Sequence, residues 1–518
     1  MTNEIFFIKE TPLEFGYNQK TEDPRDGLVL FGPNENLGNY TIRAGLIGME
    51  EHLGYYKDFV EEISKPIFST KNYYGKLKSL ERSRPSFPGF QSVFNICLPT
   101  KPEVTISLTK IEIETELKAK SKIVRTNNVV DLYLKRIVDF LKKEDNQLDI
   151  WIVVVPQRIY DSCKPNSWGK KISSGTSDYM EKTKAGQTAF AFDEFSDYDS
   201  TLERILDTVS DFHNLLKARL IQENIKVPIQ IILEKTIQFK DKLTGKKFDE
   251  YLKANFAWTI STTIYYKLGK LPWKLDGVRD GVCYIGLVFK RNPHGKDKKN
   301  VCSAAQMFLK DGDGSVFRGN IGLWESEKEN EYHLDAVAAE ELIGMAIDDY
   351  KEKWQTYPVE LFIHSKTYFN DNEWSGFEKA VANRNCNTKL VGILIKDNND
   401  LKLYRQPTNQ AGNYGVLRGT AFVVSPKEGF LCTKGFIPRL NTSNSMEMPR
   451  NLKIKIIRGD ADIKKVLQDI LALTKLNYNA CVYGDGIPVT LKFSNKIGSI
   501  LTALPDWKVD VRQFKYYI

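Results

Sequence analysis

The stretch Asp211 to Thr236, DFHNLLKARLIQENIKVPIQIILEKT, carries side chains whose types and spacing suit anion binding. His213 and Lys217 stand four residues apart, one helical turn, and Gln230 follows on a segment entered through Pro228. An imidazole, an ammonium and a carboxamide gathered in this way present several donors to one anion. The same spacing also suits a histidine at the edge of a core beside a solvated lysine. Leu206, Val209, Leu216 and Leu220 recur at three- and four-residue steps. They predict an amphipathic helix that ends near Asn224, with the polar heads beside its apolar face and a buried strand after Pro228.

Other chemistries find little support. The seven cysteines lie far apart without a Cys-x-x-Cys pair, and the five histidines are equally scattered. Neither a disulfide framework nor an all-protein metal cage is predicted. No G-x-G-x-x-G or Walker-type loop appears, so a dinucleotide or nucleoside triphosphate is not indicated. Tyr160 and Lys164 form an aromatic-plus-lysine pair expected in a strand-to-helix loop before Pro165. With 42% apolar residues and a net charge of +8, the chain reads as globular and mildly basic, which suits a polyanionic partner. The N-terminus lacks a signal-peptide layout, and no apolar run approaches the roughly 20 residues that span a bilayer. A cytoplasmic protein is expected.

The elements that must position these residues follow from pattern. The 518 residues allow two or more domains. In the front part, LVLF (28–31) looks strand-like among turn formers, and IRAGLIGMEEHLGYYKDFVEEI reads as a strand running into a helix. Pro85, Pro88 and Gly89 precede another expected strand. A helix is predicted over 126–144, then the continuous β-branched strand LDIWIVVVP (148–156), as expected where both faces are covered. Residues 170–196 read as a polar loop. A helix through Trp258, Ile264 and Tyr265 should end around Lys267 with Gly269 as its cap. Strand, loop, helix, strand, helix is the rhythm of a Rossmann-like α/β unit.

A different order begins near Asp276. Strands at 281–289 and 301–309, a DGDG turn and a third strand form a meander. A helix (334–354), a strand (359–364), a helix (372–383) and a strand (389–397) follow. That is the order of the ribonuclease H fold. Such a site clamps two divalent ions between carboxylates. Here the first strand carries no acid between Gly281 and Phe289, and the fourth runs into Lys366. The helix entrance near the end reads Phe493-Ser494-Asn495-Lys496, while Asp311 and Asp313 fall in a turn.

With these residues in view, the chain resembles the short prokaryotic Argonautes, a MID domain followed by a PIWI domain. The resemblance rests on DPRDGLVLFGP, WTISTTIYYKLGKLPWKL, CYIGLVFKR, AAQMFLKDGDGSVFRG, DILALTKLNYNACVYGDGIPVTLKFSNKIG and the final FKYYI. It covers nearly the whole chain and is closest in wording to members paired with a TIR-APAZ protein. It implies an α/β architecture: residues 1–275 as an N-terminal segment plus a Rossmann-like MID domain, and 276–518 as a ribonuclease H-like PIWI domain.

By the same resemblance, His213, Lys217, Gln230 and Lys267 hold the 5′ phosphate of a guide. Thr263 replaces a second lysine found in many relatives. The C-terminal carboxylate, on Ile518, joins Mg²⁺ bridging the guide phosphates. The catalytic acids map onto Val288 and Lys366 and the last metal ligand onto Asn495, which implies binding without slicing. A guide RNA, a single-stranded DNA target, a heterodimer with a TIR-APAZ protein that hydrolyses NAD⁺, and a larger oligomer on activation are implied, in defence against invading DNA. The alternatives are a guide-directed nuclease using Asp311, Asp313 or Glu325, a plain nucleic-acid-binding protein, or pairing with a Sir2-APAZ or nuclease-APAZ effector.

Overall fold

The computed structural model describes residues 4–69, 86–143, 147–163, 211–277, 279–291, 300–308, 314–323, 333–398, 401–404, 415–438, 440, 451–504 and 513–518. Leu206, Val209, Lys164, the 170–196 segment, Asp311, Asp313 and Glu325 lie outside these residues.

The first strand is β1 (Glu4–Phe7) and the first α-helix is α1 (Pro24–Phe31). Leu28–Phe31, expected as a strand, instead closes α1. Asp23 caps that helix by accepting from the Arg25 amide, and Pro24 sits in its first turn, where a missing N–H costs nothing. After Gly89 the chain likewise forms a short helix, Phe90–Phe94, before two strand residues, Ile96–Cys97.

Four parallel strands make the front sheet: β2 (Ala44–Met49), β3 (Val104–Leu108), β4 (Ile150–Val155) and β5 (Ile229–Leu233), in spatial order β3-β2-β4-β5. Every β4 residue is buried, as its unbroken apolar run requires. Around the sheet pack α2 (His52–Ile63), α3 (Lys122–Lys143), α4 (Gln157–Cys163), α5 (Asp211–Gln222) and α6 (Glu250–Lys267). Tyr160 therefore lies in a helix and not in a loop. α5 ends as expected, with Asn224 in the left-handed region at φ 55°.

The back sheet has nine strands. Besides β1 it holds β6 (Val282–Arg291), β7 (Asn300–Phe308), β8 (Gly314–Leu323), β9 (Glu360–Ser365), β10 (Lys389–Asn398), β11 (Thr420–Ser425), β12 (Glu428–Leu431) and β13 (Asn451–Arg458). Their order is β1-β11-β12-β13-β10-β9-β6-β7-β8. The β6-β7-β8 meander is antiparallel, whereas β9 runs parallel to β6 and β10 parallel to β9. The first strand of the chain thus completes the second sheet.

Alternation along β6 covers both faces of this sheet. Cys283, Ile285 and Leu287 pack beneath α7 (Ala336–Trp354) and α8 (Asp371–Ala382). Tyr284 and Val288 face the other way, into a core shared with α9 (Ile463–Leu473) and α10 (Val489–Leu501). That core continues through Trp258 and Tyr265 of α6 to Leu46 and Ile152 of the front sheet. α10 approaches β6 closely at Gly286, where a Cβ would stand 2.0 Å from the Thr490 carbonyl oxygen. Asn495, expected at a helix entrance, lies midway along α10. No helix among the described residues is long and apolar enough to cross a membrane.

Candidate anion-binding site

Three elements bring the predicted residues together where the two sheets' helices meet. α5 supplies His213 and Lys217, the start of β5 supplies Gln230, and the last residue of α6 is Lys267. α6 stops where the sequence predicts, because Gly269 follows at φ 82° and Leu268 N–H closes onto Ile264. The segment Phe514–Ile518 folds over this junction. Phe514 packs edge-on against Phe493 of α10 at 4.8 Å between ring centroids, and against Tyr266 of α6 at 6.0 Å.

Lys217 is 3% exposed and Lys267 2%, so neither is a solvated surface lysine. Lys217 Nζ donates to the Ile518 oxygen at 2.5 Å and to the Tyr517 carbonyl at 3.3 Å. Lys267 Nζ donates to Gln230 Oε1 at 2.7 Å and to the Ile229 carbonyl at 2.9 Å. The half-buried His213 has Nδ1 3.4 Å from Asn214 Oδ1. Thr263, which takes the place of the additional lysine, donates back to the Thr259 carbonyl at 2.9 Å.

The electrostatics of the cluster are dominated by burial and by cations set close together. Burial pushes Lys217 down to about 7, and Lys496 on α10 adds to the depression. Lys267 is driven well below its ordinary range by burial and then by Lys217. Burial also holds His213 well below its usual value, with Lys217, Lys267 and Lys496 acting in the same direction. Among the described residues, no carboxylate side chain bonds either buried ammonium; a multiply charged anion would relieve every one of these penalties together. Lys496 escaped the sequence reading because it belongs to α10. Nothing in its local pattern says that this helix turns toward α5.

A pH dependence follows. An anion held by Lys217 would need that ammonium protonated, and burial brings its pKa down to about 7. A phosphate completes its second ionisation near pH 6. Affinity for a phosphate-bearing ligand is therefore expected to fall from pH 7 upward, by at most about tenfold per unit for one linked proton. Isotherms across this range, with proton uptake measured in two buffers, check the sign. Affinity that rises with pH contradicts it.

For Mg²⁺, the pocket offers few hard oxygens, and the Ile518 oxygen and Gln230 Oε1 already accept from the two lysines. Among the described residues no group of three or more His, Cys, Asp or Glu could hold a metal ion. Among the described residues the site offers no complete oxygen shell, and a divalent cation there would draw further ligands from a bound molecule.

The positions to which the resemblance assigns the catalytic acids differ in character. Val288 is buried in the core, Lys366 is exposed one residue beyond β9, and Asn495 is exposed on α10. Between them the sheet and α10 are joined by neutral bonds. His364 Nδ1 lies 2.9 Å from Thr490 Oγ1, and Ser494 Oγ donates to the Gly286 carbonyl at 2.9 Å. Burial lowers His364 to about 3, so the imidazole is uncharged at neutral pH.

No protein-family model and no curated protein matches the chain. Solved structures do. Clostridium butyricum Argonaute bound to a guide DNA and a 19-mer target DNA aligns with a TM-score of 0.61 at 16% identity, over 98% of this chain and 55% of that one. Aquifex aeolicus Argonaute aligns with a TM-score of 0.52 at 14% identity, over 99% and 57%. The chain has the Argonaute fold. It spans about half the length of these Argonaute chains, and at such identities the likeness establishes architecture alone. A Rossmann-like sheet followed by a ribonuclease H-like sheet is the arrangement that the strand orders display.

Proposed function

We propose that the chain is a short Argonaute that binds without cutting: residues 1–275 hold the 5′ phosphate of a guide RNA, and 276–518 hold the duplex that the guide forms with single-stranded DNA. The observation that carries this reading is the buried pair Lys217 and Lys267, held at the junction of an Argonaute fold beside His213 and Lys496. A terminal phosphate carries more charge than an internal phosphodiester, so clustered cations favour a strand end. Sequence is then read by base pairing, with backbone contacts giving affinity that falls with salt. Mg²⁺ would be held with the help of the Ile518 oxygen and would offset the negative charge of the guide phosphates.

Val288, Lys366 and Asn495 at the expected acid positions support a chain that is not itself a nuclease. Its output would then come from a partner, a TIR-APAZ protein that hydrolyses NAD⁺ in the cytoplasm once target is recognised and the complex assembles into a larger oligomer, as a defence against invading DNA. The test pairs two assays on the co-expressed complex. Target DNA complementary to the loaded guide is expected to trigger NAD⁺ loss, and labelled target is expected to stay intact with Mg²⁺ or Mn²⁺. Cleavage by the purified chain alone would instead favour a nuclease with an unconventional site.

A further inference from the structure

We infer that Lys496 holds a second phosphate: the first internal phosphodiester of a strand whose terminal phosphate lies between Lys217 and Lys267. The ligand is thus a strand end that carries two successive phosphates. This rests on the phosphate-binding reading above and adds to it a residue from the other half of the chain.

Lys496 belongs to α10, which is fixed to the back sheet through Gly286, Thr490 and Ser494 and also packs against α5. Positions three and four apart share a face of a helix, so Phe493 shows where Lys496 is directed. The Phe493 ring meets Phe514 at 4.8 Å, and Phe514 opens the segment whose Tyr517 and Ile518 oxygens accept from Lys217. Ile497 and Ile500 on the same face are buried, whereas Lys496 is exposed at its rim. Asn495 lies on the other side of the helix, roughly 200° round from Phe493. The Lys496 charge acts on the front half of the site, since it adds to the depression of both His213 and Lys217. Lys492, one turn earlier, is by contrast matched within the fold by Asp485 at 2.6 Å.

Depth separates the roles. Lys217 and Lys267 are 3% and 2% exposed, which suits a strand terminus, because a chain cannot continue through a packed core. A strand held there leaves toward solvent, and the exposed ammonium of Lys496 stands on that side. Its three donors suit the two free oxygens of a phosphodiester without the desolvation that the terminal group requires. Because α5 belongs to the front sheet and α10 to the back, a strand so held ties the two together.

The full chain is titrated at low ionic strength with adenosine, adenosine 5′-phosphate and adenosine 3′,5′-bisphosphate, in which the 3′ phosphate stands in for the first internal linkage. The wild type is expected to bind the bisphosphate about fivefold or more tighter than the 5′-phosphate. Lys496→Met should bring the ratio of the two affinities close to one, and Lys496→Arg should restore it. Lys496→Gln gives the same readout should the apolar chain perturb folding. A wild-type ratio near one, or a ratio that loss of the ammonium leaves unchanged, overturns the inference alone. A wild type that binds adenosine 5′-phosphate no better than adenosine overturns the phosphate-binding reading as well.

Discussion

His213→Ala combined with Lys217→Glu is expected to abolish target-triggered NAD⁺ loss while the heterodimer stays intact. Charge-assisted hydrogen bonds contribute roughly 1.5–3 kcal/mol each, so losing both donors lowers guide affinity about a hundredfold or more. The glutamate goes further, setting a negative charge against the phosphate and beside Lys267, whose pKa Lys217 otherwise depresses. Lys217→Met provides the control for folding. A buried ammonium is costly to desolvate, which offsets the loss of its bonds to the Tyr517 and Ile518 oxygens, so an apolar chain of similar length should leave the melting temperature near wild type while guide binding is lost. NAD⁺ loss triggered normally by the double variant would count against this pocket. A collapse in the melting temperature of Lys217→Met would mean that the lysine serves structure instead.

Glu10→Ala should produce the largest loss of stability. Glu10 pairs with Arg418 Nε at 2.7 Å and with Lys475 Nζ at 3.4 Å, and both cations are buried. Lys475 also donates to the Glu22 carbonyl at 2.8 Å and lies 4.5 Å from the Tyr483 ring centroid. Arg418 reaches Thr474 Oγ1 at 2.5 Å. Burial pushes Lys475 down to about 8, even with Glu10 drawing it upward. Removing the carboxylate strands two buried cations side by side, a change that costs about 3–5 kcal/mol in comparable pairs. Glu10→Gln should recover part of this by restoring an acceptor. Thermal and denaturant unfolding of the three proteins give the order: wild type most stable, then Gln, then Ala. An unchanged Ala variant would show that solvent reaches the network freely. The same bonds tie the N-terminal segment to the stretch leading into α10, the helix that carries Lys496.

Much of the fold was legible because its signals are local. The β4 run, the α6 stop at Gly269 and the strand-helix order after Asp276 each follow from periodicity and breakers, and each appears in the structure. α1 was misread because its short apolar run, LVLF, fits strand and helix alike; the Asp23-Pro24 cap was the deciding signal. At the site, helical spacing related His213 to Lys217, but the burial of Lys217 and Lys267 depends on packing from α10 and Phe514–Ile518. The setting of Lys496 was illegible for the same reason. It exists only once segments hundreds of residues apart in sequence are brought together.

The buried cations are expected to select the phosphorylated end of a guide. Titrating the wild-type chain with one RNA sequence bearing either a 5′ phosphate or a 5′ hydroxyl tests it most directly. Much tighter binding of the phosphorylated strand, with the preference erased by His213→Ala and Lys217→Glu, is the predicted result. Equal affinity for the two strands would contradict it.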